Sequence, residues 1–164
     1  QGERRLAVAD LLAGPGETTA SPSELLTEVE VPLPAPGTGS AYLRLEYRRQ
    51  MEIAVVGATA VLRLEGGRVA DARVAITALA PTIRRVLEAE RALLGTDAGR
   101  QAAEEAGRAA AAAAEPISDV RASAEYRRAM AAVIVRRAVE AAAARARGER
   151  LPVPAGAALE GGVR

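Results

Sequence analysis

The sequence contains no cysteine and no histidine. Those two absences remove several chemistries together: no Cys/His zinc site, no protein-ligated iron–sulfur cluster, no disulfide, and no Ser-His-Asp or Cys-His catalysis. Tryptophan and phenylalanine are also missing, and aromatic residues make up 2% of the chain. A core must then be built from Val, Leu, Ile and Ala, with three tyrosines as the only large rings. Such a core is thin for 164 residues and is expected to lean on a partner surface. Lysine is absent as well, so every basic side chain is arginine. Arginine suits bidentate contacts to phosphate or carboxylate, although a general bias toward Ala, Gly and Arg accounts for it as simply.

Charge of either sign is not in excess. The 22 basic and 21 acidic residues leave a net charge of +1, so long-range attraction to nucleic acid or an anionic membrane is weak and neither is expected as a partner. No apolar run reaches the roughly 18 residues of a membrane span, and no charged-plus-apolar leader opens the chain. A soluble cytoplasmic protein is the expectation. The first residues, Gln1 to Val8, carry no initiator Met and a strand-like run with nothing before it, as expected of a fragment.

What is present gathers around residues 42–80. Ile53, Val55, Val56, Val61, Leu62 and Leu64 lead into Glu65-Gly66-Gly67-Arg68, and Val69, Val74, Ile76 and Leu79 lead out. Two apolar runs joined by Gly-Gly predict a β-hairpin, because its turn needs the positive φ that glycine adopts cheaply. A charged segment precedes it, with Arg44, Glu46, Arg48, Arg49 and Glu52 close together.

Upstream, residues 4–8 read as a short strand, residues 9–12 as one helical turn, and residues 14–18 as a turn. Residues 25–31 alternate as a strand would, before Pro32, Pro34 and Pro36 end it. Downstream, Thr82 is a candidate N-cap for an amphipathic helix over 83–94 that stops at Gly95. Asp97 is a candidate cap for an alanine-dominated helix over 98–115, which Pro116 ends. Asp119 or Ser123 then caps a last helix whose apolar stripe is Tyr126, Met130, Val133, Ile134, Ala138 and Ala141, flanked by arginines including Arg127 and Arg128. Residues 149–164 are Pro, Gly and Ala-rich and read as a disordered tail. The division is 1–39 as arm and Pro/Gly linker, 40–148 as a domain, and 149–164 as tail. The predicted class is α+β: an antiparallel hairpin sheet packed on one face by three helices.

The blocks that carry a resemblance are Tyr42-Leu43-Arg44, Arg48-Arg49, Glu52-Ile53-Ala54 and Val56-Gly57-Ala58-Thr59-Ala60. They continue through residues 69–75, Glu88-Ala89-Glu90, Leu93-Leu94-Gly95 and residues 116–128. In this order and spacing the chain resembles the C-terminal domain of the FAD-binding medium subunit of molybdenum hydroxylases, the carbon monoxide dehydrogenase and xanthine dehydrogenase group. Thr18, residues 21–29 and Val31-Pro32 resemble the last strands of the FAD-binding domain before it. The resemblance implies an electron-transfer subunit whose FAD is held mostly by an N-terminal part not in this chain. It implies partners too: a molybdopterin-binding large subunit and an iron–sulfur small subunit. It implies Leu26 as an apolar wall against the flavin ring, and Arg44, where the family commonly has Lys, as a cation near the ring's pyrimidine end. Glu52 stands where the family often has Asp, and also suits an ion pair with Arg48 or Arg49. Gly95-Thr96-Asp97 echoes a family phosphate loop, and equally a helix C-cap. No catalytic and no metal-ligating residue is implied. The 119–128 block reads as structural, with Arg121, Arg127 and Arg128 facing a neighbouring subunit as the other reading. A non-enzymatic interaction module, docking a partner through its Arg/Ala-rich helices, is the alternative.

Overall fold

The structure is a computed structural model and describes residues 2–48 and 51–152. Its centre is an antiparallel sheet of four strands, β3 (Thr38–Leu45), β4 (Val56–Glu65), β5 (Arg68–Thr77) and β6 (Arg84–Arg85), in that spatial order. Before it comes a short arm with α1 (Val8–Leu11) and a minimal hairpin of β1 (Leu12–Gly14) and β2 (Glu17–Thr18). After it come α2 (Leu87–Leu93), α3 (Arg100–Ala113) and α4 (Ala124–Ala146). The α+β class and the helix-covered hairpin sheet hold.

The β4–β5 turn forms as its glycines require: Gly66 has φ 57° and Gly67 has φ 79°, the positive pair that matches the strands' own twist. Register places Tyr42 opposite Thr59 and Thr59 opposite Ala75. One face is therefore Ala41, Leu43, Val56, Ala58, Ala60, Leu62, Val74 and Ile76, all buried. The other face is Tyr42, Arg44, Thr59, Arg63 and Arg73, exposed or half-exposed.

β3 is a strand the sequence reading did not contain, since Thr38 and Gly39 sat in the predicted linker. Its inward residues begin Gly39, Ala41, which weakens the apolar alternation that reveals a strand. Those small residues have a purpose. A Cβ on Gly39 would fall 2.1 Å from the Ala142 carbonyl oxygen and 2.3 Å from the Ala146 nitrogen, so α4 lies directly on the strand backbone. α3 packs on α4 in the same way, since a Cβ on Gly107 would fall 2.5 Å from the Ala132 carbonyl oxygen. The alanine helices bury little area per residue but approach closely.

Several elements differ from expectation. Residues 4–8 and 25–31 form no strand: a strand needs a neighbour for its N–H and C=O groups, and neither segment has one among the described residues. Thr82 caps nothing. α2 starts only at Leu87, because Arg84–Arg85 pairs with β5 instead. Buried Glu90 completes that edge, accepting from the Val74 N–H at 3.0 Å and from Arg85 Nε at 2.6 Å. Asp97 is not a cap either, its carboxylate taking the Gly99 N–H at 2.8 Å while Gly99 is the N-cap of α3. Ser123 is the cap of α4, accepting from the Tyr126 N–H at 3.1 Å. Of the predicted stripe of α4, Ile134, Ala138 and Ala141 are buried; at its N-terminal end Arg127 and Ala131 are buried instead of Tyr126 and Met130, with Tyr126 47% exposed. In the tail, Leu151 packs on the core; residues 153–164 lie outside the described residues.

Candidate functional site

Arg44 is on the outer face of β3, one residue before the strand ends. Its guanidinium pairs with Glu46, and Nη1 donates to the Glu52 carbonyl at 3.5 Å. Its side chain is 36% exposed, leaving part of the cation open. Between β3 and β4 lies the crossover, of which residues 46–48 and 51–55 are described; Glu46 and the Glu52 carbonyl approach Arg44 from it. Arg48 Nη2 donates to the Met51 carbonyl at 2.9 Å, and Arg48 Nε reaches the Glu52 carboxylate at 3.2 Å. That is the ion pair expected of Glu52; Arg49 lies outside the described residues. Burial disfavours ionising Glu52, but hydrogen bonds from Arg48 and the Ile53 N–H, with the charges of Arg48 and Arg121, outweigh it. The carboxyl is held below its ordinary value.

Behind the crossover stands a cluster missed by sequence reasoning. Arg127, 4% exposed, donates from Nη1 to the Val55 carbonyl at 2.7 Å and to the Ala78 carbonyl at 3.4 Å. Its Nη2 donates to Asp119 Oδ1 at 2.7 Å, and its Nε is buried without a partner. Asp119 also accepts the N–H groups of Arg121 and Ala122, at 2.8 and 3.1 Å. The hydrogen bond from Arg127, then that from the Arg121 N–H, hold its carboxyl down at about 2. The Tyr47 hydroxyl donates to the Arg121 carbonyl. Arg127 therefore does not face a neighbouring subunit but turns into the core. The available signal was its place at the head of the i, i+4, i+7, i+8 series of α4. A cleft of about 300 Å³ opens beside the cluster, walled by Ile53, Ala78, Pro81, Pro116 and Arg121.

Leu26 stands elsewhere, on the arm, 70% exposed, and it lines neither this cleft nor the small hollow beside Tyr47. Gly95-Thr96-Asp97 is a helix end. Gly95 has φ 73° and gives its N–H to the Val69 carbonyl, and Thr96 gives its own to Leu93. The N–H groups of Ala98 and Gly99 are taken by Thr96 and Asp97, so this loop has few donors left for a phosphate.

Residues 41–142 match the family model of the CO dehydrogenase flavoprotein C-terminal domain. The chain belongs to that family. It is 40% identical over 147 residues to the carbon monoxide dehydrogenase medium chain of Afipia carboxidovorans, covering 90% of this chain and 51% of that one. It is 27% identical over 150 residues to the xanthine dehydrogenase FAD-binding subunit of Escherichia coli O157:H7, covering 91% and 51%. Among solved structures, reconstituted CO dehydrogenase from Oligotropha carboxidovorans superposes with a TM-score of 0.81 at 39% identity, covering 87% of this chain and 49% of that one. The chain spans about half the length of the curated relatives it matches.

For a flavoprotein C-terminal domain the donor set is informative. A partly open guanidinium beside the half-exposed Tyr42 ring fits the electron-accepting end of a flavin. A dinucleotide pyrophosphate needs a run of free N–H groups at a glycine-rich loop, which the 95–99 turn does not offer. These residues fit one wall of an FAD site. Among the described residues no group of three or more acids could hold a metal ion, and no helix is long and apolar enough to cross a membrane.

Proposed function

We propose that the chain is the C-terminal portion of the FAD-binding, electron-transfer subunit of a cytoplasmic molybdenum hydroxylase, forming one wall of the flavin site and part of the subunit interface. The observation that carries this reading is the family match over 41–142 together with a part-open Arg44 cation at the outer end of β3. Bound FAD supplies the redox chemistry, accepting electrons and passing them on. Arg44 stabilises negative charge at the pyrimidine end of the ring, with Glu46 fixing its guanidinium plane. Leu26, 70% exposed, closes a dry wall against the ring. Residues 1–39 are the end of the preceding FAD-binding domain, and 149–164 a tail. The partners are a molybdopterin-binding large subunit and an iron–sulfur small subunit, in keeping with a relative named as a medium chain.

The test is the visible spectrum of the full-length subunit after reconstitution with FAD. A flavin band that Arg44→Gln weakens or shifts supports the reading. No flavin band in the parent protein overturns it in favour of a non-enzymatic interaction module.

A further inference from the structure

A buried arginine is an expensive way to fill a core, and an apolar side chain of similar volume is often no less stable. Arg127 occupies a position where the helix pattern asks for an apolar residue, and its Nε is left without a partner. Its bonds are therefore better understood by what they hold in place. One is the Val55 carbonyl, at 2.7 Å. The N–H of the same Val55 donates to the Leu45 carbonyl at 2.8 Å, which closes the base of the crossover next to Arg44. A second is the carbonyl of Ala78, at 3.4 Å, a non-glycine residue held at φ 60°. Such a conformation persists only where the surroundings over-determine it. A third is Asp119, at 2.7 Å, which organises the turn carrying Arg121. From that turn the Arg121 carbonyl holds the Tyr47 hydroxyl, and the Arg121 charge acts on Glu52. The Glu52 carbonyl in turn accepts from Arg44.

We infer that Asp119 and Arg127 are positioning residues for the flavin site: from the start of α4 and the turn before it they pin residues 46–48 and 51–55, and through Val55, Tyr47 and Glu52 they set where the Arg44 guanidinium stands. The inference rests on the reading of Arg44 as flavin-facing, and its scope is the geometry of that residue rather than contact with the cofactor.

The experiment uses the full-length FAD-loaded subunit with Arg127→Met, Asp119→Asn, Tyr47→Phe and Arg44→Gln. Two readouts are taken: hydrogen exchange of the 51–56 amides, and FAD affinity with the flavin midpoint potential. Arg127→Met leaves Asp119 with its two backbone donors, so a folded protein is expected. Exchange at 51–56 should rise about tenfold while α3 stays protected. FAD binding should weaken about tenfold, the potential should move, and Arg127→Lys should restore part of both. Where Arg127→Met or Asp119→Asn does not fold, Tyr47→Phe decides, since its ring is 67% exposed; it should give the same changes in smaller measure. A folded clamp variant with exchange, affinity and potential all unchanged overturns the inference. If Arg44→Gln leaves affinity and potential unchanged, the reading of Arg44 fails, and exchange alone then judges whether the clamp pins the crossover.

Discussion

The arm and the sheet contain the same kind of sequence and reach opposite outcomes. Residues 25–31 read as a strand as β4 does, yet Leu25 is 83% exposed, Val29 62% and Val31 79%, while Leu62 of β4 is fully buried. The difference is a neighbour. β4 has a strand on each side and α4 on one face, so its backbone groups are paired and its apolar side chains leave water. Residues 25–31 have neither among the described residues, and their β propensity goes unused. Ion pairs differ through their arginines. Glu24 on the arm and Asp119 at the edge of the domain, its side chain 27% exposed, are each held at about 2, chiefly by hydrogen bonds from Arg4 and Arg127 respectively. Arg4 is 47% exposed and Arg127 only 5% on the side chain, so water and salt weaken the first pair far more than the second.

The largest break in this contrast should come at Gly39→Val. The added carbons meet α4 backbone 2.1 Å away, and the cost of overpacking a backbone contact is about 3 kcal/mol or more. Loss of the cooperative melt by circular dichroism is expected; a melting temperature near that of the parent would show that α4 does not sit on β3. Leu62→Ala comes next, at about 2–5 kcal/mol by denaturant titration, whereas Leu33→Ala on the arm should stay within about 0.5 kcal/mol.

Asp119→Asn sharpens the comparison through pH. The folded carboxyl lies at about 2, below its ordinary 3.8, so its contribution is complete above about pH 4 and is lost as pH falls toward 2. The stability gap between parent and variant should close over that window; a gap independent of pH would count against the clamp. The smallest effect belongs to Arg4→Gln, whose influence on melting should be undetectable in 1 M salt, while that of Arg127→Met should persist there.

How much could be read in advance varied with the physics involved. The Gly66-Gly67 turn, the Gly95 helix end and the Ser123 cap were legible because each is decided by a few adjacent residues and their backbone angles. β3 was not, because glycine and alanine facing inward carry no hydrophobic signal. The start of α2 was misplaced because Arg84–Arg85 has a free strand edge to join. The α4 stripe was legible at Ile134, Ala138 and Ala141, but its first turns were set one residue off because a buried arginine counts as polar in any pattern, and only its partners at 55, 78 and 119 make it a core residue. Arg44 could be named from its motif; that Glu46 and Glu52 engage it could not.

Composition by itself therefore determined which chemistries were closed to this chain, and local pattern determined its class, its hairpin and its helices, since these depend on residue type and short spacing. The tertiary structure alone decided which strand completes the sheet, which residues of α4's first turns face inward and what braces the crossover beside Arg44. Those outcomes depend on contacts between residues far apart in the chain, where burial and pairing override what each residue prefers alone.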